Sequence, residues 1–252
     1  MNFDFLSTFD LDVWDWVLLY VCGMLVAMAK TGVAGVYNVV VPLMAIVFGG
    51  RASTGVLLPI LLMGDLFAVG YYNRSANWKH VLRLVPPAFA GVLLGTWVGG
   101  MVSEEVFRIL LACVVLLGIG LMVFLEVRKI KEVPDYWWFS IGMGVLAGFT
   151  TMVGNVAGPI VAVYMLSMRL PKNAFIGTTA WFFLLVNIIK LPFHLFVWET
   201  ISWPSVGLDL LVLPGIALGA FLGIRIVKVI SEKFYRRFVI IATVASALLL
   251  II

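Results

Sequence analysis

The chain has 252 residues, of which 63% are hydrophobic and only 12% are charged, and its formal net charge is +4. A soluble domain is about half apolar and about a quarter charged. This composition therefore excludes an ordinary soluble enzyme, a disordered chain and a nucleic-acid-binding module. The apolar runs are continuous rather than alternating, which predicts an all-α polytopic membrane protein and not a transmembrane barrel.

Eight apolar segments follow one another along the chain. The uninterrupted ones are predicted at 52–72, 82–101, 104–126, 173–193, 205–224 and 232–252. The first segment, 13–29, is interrupted at 30–38 and resumes at 39–50, and the fifth, 137–149, is interrupted at 150–155 and resumes at 156–167. A limb of about 12 helical residues extends only about 18 Å, which is too short to cross a bilayer. Each interrupted segment is therefore predicted to be a broken, re-entrant helix hairpin.

The two halves of the chain resemble each other in ordered blocks. Asn38 and Pro42 correspond to Asn155 and Pro159, and further along Asp65 falls on Asn187. The other matched positions are Ala52 and Gly55 with Ala174 and Gly177, Pro86, Gly91 and Gly95 with Pro214, Gly219 and Gly223, and Ser103-Glu104 with Ser231-Glu232. The order predicts a duplicated unit, with residues 1–128 forming the first transmembrane repeat and residues 129–252 the second.

Basic residues predict how the halves are oriented. Thirteen of the 17 lysines and arginines lie in four loops, which carry Arg74, Lys79 and Arg83; Arg128, Lys129 and Lys131; Arg169 and Lys172; and Arg225, Lys228, Lys233, Arg236 and Arg237. All four loops lie on one side only if the fifth segment enters and leaves on that side, as the positive-inside rule favours. Each half then has an odd number of crossings, so the second repeat is inverted relative to the first and both termini lie outside.

The interrupted stretches contain the first set of candidate site residues. Non-helical backbone inside a bilayer must line a cavity or be buried in protein, and the free N–H groups and dipole of a helix start favour an anion. The candidate substrate-binding residues here are Gly35, Asn38, Thr150, Thr151, Gly154 and Asn155. The functional interpretation is an oxyanion site between two facing helix starts. The alternative is that the Asn and Thr side chains only cap the half-helices.

Ionisable residues inside the apolar segments provide the second set. Lys30, Asp65 and Lys190 lie well inside these segments, where a charge is costly and usually paired or functional. Lys190 shares a helix face with Asn187 and is a candidate cation for the substrate; the alternative is that it reaches the outer interface. Asp65, with Asn187, is a candidate for a coupling ion or proton. The alternative for Asp65 is a structural ion pair with Lys30 or Lys190.

Other side chains are expected at the membrane surface or between helices. Tryptophans near segment ends predict an interfacial belt, namely Trp14, Trp16, Trp78, Trp137, Trp138, Trp198 and Trp203. His80 is expected in solvent and His194 at the interface. Two glycine stripes permit close helix contact and predict either a homodimer contact or packing of the repeats within one chain; they are Gly91, Gly95 and Gly99, and Gly215, Gly219 and Gly223.

Enzyme motifs are not found in the sequence. It contains no HExxH metal motif and no Gly-rich phosphate loop, so we expect no enzyme activity, no metal and no cofactor. The expected partners are a small anionic substrate and the lipid bilayer, without nucleic acid.

A Gly-containing break that leads into a short Pro-containing helix occurs in both halves, at 30–42 and 150–159. The Ala-x-x-Gly at 52–55 recurs at 174–177, and the spacing of Gly91 and Gly95 recurs at Gly219 and Gly223. Together these features resemble the TauE/SafE family of sulfite and organosulfonate exporters over nearly the whole chain. The resemblance implies a multi-pass carrier of the bacterial inner membrane. It leads us to expect a secondary transporter that exports sulfite or organosulfonates by alternating access. The alternative is an uptake permease or anion channel on the same scaffold.

Overall fold

The computed structural model describes residues 11–33, 36–107, 109–110, 113–114, 136–231, 233–235 and 237. Within these ranges the chain is helical and has no β-strand. The α-helices are α1 Val13–Lys30, α2 Val40–Phe48, α3 Gly50–Tyr72, α4 Trp78–Met101, α5 Trp137–Gly154, α6 Gly158–Ser167, α7 Lys172–Phe196, α8 Trp203–Leu211 and α9 Leu213–Val229. Short 3₁₀ helices span Val36–Val39 and Asn73–Ser75. Most of the predicted segments 104–126 and 232–252 lies outside the described residues.

The described helices are those of a multi-span membrane protein. Five of them, α1, α3, α4, α5 and α7, are long and apolar enough to cross a bilayer, and α8 with α9 makes a sixth if the bent pair is one span. Large apolar side chains remain exposed on their outer faces, among them Trp97, Trp137, Trp203 and Val229. Such surfaces are stable against lipid tails rather than water. The prediction of an all-α membrane protein with several spanning helices is therefore confirmed for the described residues.

Two predicted segments differ in where they break. Helix α5 continues through Gly154, so the second interruption is 155–157 rather than 150–155, and Thr150 and Thr151 are helical. Asn155 ends the helix in the left-handed conformation, with φ 57° and ψ 24°, which Asn tolerates better than most residues. The predicted segment 205–224 breaks at Val212, where α8 and α9 meet at a 50° bend. Pro214 follows the break, and a proline removes the N–H that would continue the helix.

Loops that carry basic residues meet at one end of the molecule, which we call the basic end and define by residues 73–77, 168–172 and 228–231. The Lys172 ammonium donates to the carbonyls of Val227, at 3.0 Å, and Ile230, at 2.6 Å. The Asn77 N–H donates to Thr178 Oγ1 at 2.8 Å. Three of the four predicted basic loops therefore lie together. The fourth, at 128–131, lies outside the described residues.

The other end of the molecule, which we call the opposite end, is formed by residues 49–55, 102–107 and 197–202. Arg51 donates through its guanidinium to the Val102 carbonyl at 2.7 Å and through its backbone N–H to Glu104 Oε1 at 3.1 Å. The backbone of Gly55 lies directly against Thr200, because a Cβ added there would be 2.4 Å from the Thr200 oxygen. Helix α3 therefore runs from the opposite end to the basic end, and α4 and α7 run back.

Two helix pairs pack closely at glycines, α4 with α5 and α1 with α9. A Cβ on Gly91 would lie 2.1 Å from the Val145 carbonyl oxygen, and one on Gly219 would lie 2.1 Å from the Met24 carbonyl oxygen. Both glycine stripes contact other parts of the same chain, since Gly99 faces Trp198 and Gly215, Gly219 and Gly223 face α1. The structure thus uses the stripes for packing within the chain. The homodimer therefore stays a prediction, and these glycines do not support it.

The contacts also give the direction of these helices. Gly144 lies against Pro87 and, further along both helices, Met152 lies against Gly95, so α4 and α5 run parallel. In the other pair, Tyr20 lies against Gly215 and Thr31 against Gly223, so α1 and α9 run parallel as well. Each broken pair of helices, α1–α2 and α5–α6, therefore packs through its longer limb on a helix from the other half of the chain.

The short helix α6 ends close to the start of α5. The hydroxyl of Tyr164 lies 3.3 Å from Ser140 Oγ and 3.0 Å from His80 Nδ1, and the Phe139 ring stacks on Tyr164. His80 is buried in this cluster, so the expectation that it is solvated is wrong. Because Ser140 and His80 lie near the beginnings of α5 and α4, the chain has returned toward the basic end by Tyr164.

Candidate functional site

Lys190 lies at the centre of a buried polar network. Its side chain is fully buried, at 0% exposure. The ammonium donates to Asn155 Oδ1, to Thr151 Oγ1 at 3.3 Å and to Asn187 Oδ1 at 3.3 Å. The alternative in which Lys190 reaches the outer interface is therefore excluded. Residues 151 and 155 come from the end of α5, so the network joins the second broken helix to α7.

Asp65 extends the network to the first broken helix. Its Oδ1 lies 2.8 Å from the Lys30 ammonium, and its Oδ2 accepts a hydrogen bond of 2.7 Å from the Asn187 amide. The ion pair that the sequence left as an alternative is thus present, with Lys30 as the partner. Asn187 connects the two lysines, because its amide NH₂ donates to Asp65 while its oxygen accepts from Lys190.

Asn155 is held at both ends of its amide. Its oxygen accepts from Lys190, and its NH₂ donates to the Thr54 carbonyl at 3.1 Å. The left-handed backbone at this residue closes α5, since its N–H is bonded to the carbonyls of the last turn. The side chain therefore points away from its own helix, and it links the junction of α5 and α6 to the start of α3.

A cavity of about 100 Å³ lies beside the network. Its polar lining comes from Lys30, Tyr37, Thr151, Asn155, Thr179, Asn187 and Tyr235. Gly158 and Pro159, at the start of α6, line it as well, and it extends to Phe175 and Ile176 in the first turns of α7. Lys190 is not a lining residue; it lies behind Thr151 and Asn155. The cavity is thus large enough for several waters or a small anion, and it extends from the network toward the basic end.

The charge of the network favours an anion. It contains Lys30, Lys190 and Asp65, and Asp65 is paired with Lys30. The partners of Lys190 are neutral, and in the described part of the chain no carboxylate forms an ion pair with it. With both lysines and the aspartate ionised, one positive charge remains uncompensated in a buried site. In such surroundings a charge acts strongly and favours an opposite charge nearby.

The structure brings together five of the nine candidate residues, namely Thr151, Asn155, Lys190, Asp65 and Asn187. Thr150 instead donates to the Ala147 carbonyl of its own helix at 3.2 Å, and Gly154 is buried in the last turn of α5 without lining the cavity. Gly35 lies outside the described residues. Of Asn38 the structure describes only the backbone, which lies in the 3₁₀ helix just before α2. Asn38 therefore does not end α1 as Asn155 ends α5.

Four polar cavity residues were missed by sequence reasoning as parts of the site. Lys30 was recognised as a buried charge but not as a cavity residue, and Tyr37, Thr179 and Tyr235 were not assigned to the site. Tyr37 lies inside the predicted interruption, so its position was a usable signal. Thr179 lies in an unbroken helix among apolar residues, and only packing reveals that it faces the cavity.

Two further polar side chains differ from expectation. Asp209 is a fourth ionisable residue inside the apolar segments; it is fully buried, and neither carboxylate oxygen has a hydrogen-bond partner within the described ranges. His194, expected at the interface, is fully buried, with Nδ1 2.8 Å from Thr200 Oγ1 and its ring edge-to-face with Trp198. Trp198 is buried as well. The loop after α7 folds back over the helix end, which a sequence pattern cannot indicate.

The fold and this network define a multi-span α-helical membrane protein with a buried ionic site between two broken helices. The chain belongs to the sulfite exporter TauE/SafE family, whose model matches residues 19–250. The resemblance stated from the sequence is thereby confirmed over nearly the whole chain, including every described residue of the network. The chain matches neither a curated protein nor a solved structure.

Proposed function

We propose that this protein is a secondary transporter that exports small sulfur-containing oxyanions, sulfite or organosulfonates, across the bacterial inner membrane. Membership in the TauE/SafE family supports the proposal that the protein transports sulfur anions. The observation that carries the proposal is the buried network, in which Lys190 is held by neutral partners and, when ionised, adds a positive charge beside a cavity of about 100 Å³. A site with that charge and size suits a small anion.

The proposed substrate site is the cavity, with the network as its electrostatic support. Lys30, Thr151 and Asn155 line it, and Lys190 lies directly behind. The start of α6 adds the positive end of a helix dipole. Gly35, Asn38, Thr150 and Gly154 remain candidate binding residues on the grounds of sequence. Asp65 and Asn187 are proposed to carry the coupling proton or ion, because they lie between the two lysines.

Alternating access between inverted repeats is the proposed mechanism. The repeats are residues 1–128 and 129–252, each beginning with a re-entrant hairpin. The parallel packing of α1 on α9 and of α5 on α4 supports this mechanism. Each hairpin packs on a helix of the other half, and these two helices, α4 and α9, occupy matched positions in the two repeats. The contact between Ser140 and Tyr164 supports a second hairpin that returns to its own side. Two interlocked halves of this kind can rock about a site between them.

The direction of the cavity supports the same mechanism. It extends to the first turns of α7 at the basic end, which the positive-inside rule places in the cytoplasm. At the opposite end, Trp198 packs on His194 and Phe107, and its indole N–H donates to the Thr96 carbonyl at 3.1 Å. We infer that the site faces the cytoplasm in this conformation and that the termini lie outside.

Counterflow in proteoliposomes tests the proposal. The purified chain is reconstituted, loaded with unlabelled sulfite, sulfate, thiosulfate, sulfoacetate or taurine, and exposed to labelled substrate outside. A carrier accelerates uptake when substrate is present on the other side, whereas a channel does not. Trans-stimulation by sulfite or an organosulfonate is expected. If no sulfur oxyanion gives it at normal levels of reconstituted protein, the proposed substrate class is wrong; uptake without trans-stimulation would favour the channel.

A further inference from the structure

The amides of Asn155 and Asn187 and the Thr151 hydroxyl, which the sequence assigned to the substrate or to the coupling ion, take part in the buried network. Asn155 uses both ends of its amide for Lys190 and the Thr54 carbonyl. Asn187 donates to Asp65 at 2.7 Å, and Thr151 Oγ1 accepts from Lys190 at 3.3 Å. These groups hold the network in shape. An anion in the cavity needs donors that the protein does not itself use.

Two residues that line the cavity carry hydroxyl groups that take no part in the network. Tyr37 and Thr179 both line the cavity, and the oxygen of each is shielded from solvent without a hydrogen-bond partner among the described residues. Buried polar groups are almost always paired in folded proteins. Two unpaired hydroxyls beside one small cavity are therefore groups that a water or a ligand in the cavity can partner.

Thr179 differs from two other helical threonines in a way that supports this. Threonine in a helix commonly donates to the carbonyl one turn earlier, and Thr96 and Thr178 do so, at 2.8 and 2.5 Å. Thr179 has no such bond. Its neighbour Thr178 faces the α3–α4 loop, while Thr179 faces the cavity. Its hydroxyl is therefore not engaged by its own helix.

We propose that the hydroxyls of Tyr37 and Thr179, together with the Lys30 ammonium, bind the three-oxygen anionic group of the substrate and determine its selection. This deepens the proposed function and rests on it. The three groups come from different elements: the end of α1, the 3₁₀ helix at Val36–Val39, and α7. A sulfite or sulfonate group has several oxygens that accept hydrogen bonds in different directions and none that must donate, so it satisfies both hydroxyls and the ammonium at once.

The test uses isosteric variants in the full chain. Tyr37→Phe and Thr179→Val each remove one hydroxyl while they keep the shape of the side chain. Binding of sulfite and taurine to the purified protein is measured by calorimetry. The half-saturation concentration for counterflow is measured in proteoliposomes. Each variant is expected to weaken binding at least about tenfold, the scale of a lost hydrogen bond to a charged group, and the double variant more strongly. The unfolding midpoint without substrate should not fall.

Tyr72→Phe and Thr96→Val are the matched controls. The Tyr72 hydroxyl is also buried without a described partner but lies away from the cavity, and Thr96 donates to its own helix. Both should bind substrate as the parent does. If the parent binds substrate and the two cavity variants bind it equally well, the inference is wrong and the proposed function stands. If the parent binds neither sulfite nor taurine, the proposed function fails and the inference with it.

Discussion

At the scale of single residues, Asn155 does more than end a helix. Its backbone closes α5 in the left-handed conformation, while its amide joins Lys190 to the Thr54 carbonyl. The end of the helix and a link in the buried network, which the sequence treated as alternatives, therefore coincide in one residue. Asn155 fixes the position of Lys190 relative to the cavity, so under the proposed function it would act on an anion through the network as well as through direct contact.

Asn155→Gly is expected to raise the half-saturation concentration for counterflow about tenfold, because a buried partner left unpaired costs about 1–3 kcal/mol. Glycine keeps the left-handed backbone without strain, so the variant isolates the amide. Glu199→Gly is the control, since Glu199 also has a positive φ, of 52°, but lies exposed in a loop. An Asn155→Gly protein that transports with the parent's affinity would show that the amide serves the fold alone.

Asp65→Asn tests coupling separately from binding. The amide is nearly isosteric with the carboxylate, but it can neither carry a proton nor neutralise Lys30. Counterflow, which needs no net driving force, should continue, whereas accumulation driven by a proton or ion gradient should be lost. Labelled sulfite is followed in the same vesicles with and without an imposed gradient.

Asp209→Asn is the matched control for Asp65, because Asp209 is equally buried but forms no hydrogen bond or ion pair with the network among the described residues, whereas Asp65 is bonded to Lys30 and Asn187. It should leave both modes of transport unchanged. Loss of gradient-driven transport in Asp209→Asn, with Asp65→Asn unaffected, would transfer the coupling role to Asp209.

At the scale of elements, the close approach of α4 to α5 and of α1 to α9 depends on glycine. Gly91→Ala and Gly219→Ala each place a methyl group 2.1 Å from a backbone carbonyl oxygen, so the helices must separate. Overpacking of this kind costs about 1–3 kcal/mol, and we expect a lower unfolding midpoint in detergent. Gly142→Ala is the control, because nothing lies within 4 Å of the added Cβ. A midpoint for Gly91→Ala and Gly219→Ala equal to that of Gly142→Ala would contradict the packing.

At the scale of the whole molecule, the hairpin topology predicts which residues share a side of the membrane. Tyr136 precedes α5 and Arg169 follows α6, and both are exposed. In a protein whose Cys22 and Cys113 have been replaced, Tyr136→Cys and Arg169→Cys should both react with an impermeant maleimide only after the cells are opened. Glu199→Cys, at the opposite end, should react in intact cells. Labelling of residues 136 and 169 from different sides would mean that α5 and α6 together cross the bilayer.

Oligomeric state is a separate question at this scale. The glycine stripes are used within the chain, so a homodimer would have to form through another surface. Mass measurements in mild detergent and in lipid discs test the homodimer prediction, and a monomeric mass in both would count against it.

The sequence by itself determined the membrane class, the order of the helices, the family and the polar residues of the buried network. These follow from local properties: long apolar runs must be helical in lipid, and a charge inside such a run is costly enough to stand out. Lys30, Asp65 and Lys190 were visible for that reason. The repeat of Asn and Pro after each break similarly marked Asn155 as a candidate through its sequence pattern alone.

Only the tertiary structure decided which of these residues meet and what each one does. Asp65 pairs with Lys30 rather than Lys190, and Lys190 lies behind the cavity rather than in it. Partners of this kind come from segments far apart in the chain, and no local pattern records their distances. Tyr37, Thr179 and His194 were misjudged for the same reason. Whether a polar group on a helix faces lipid, a neighbouring helix or a cavity depends on how the other helices pack around it.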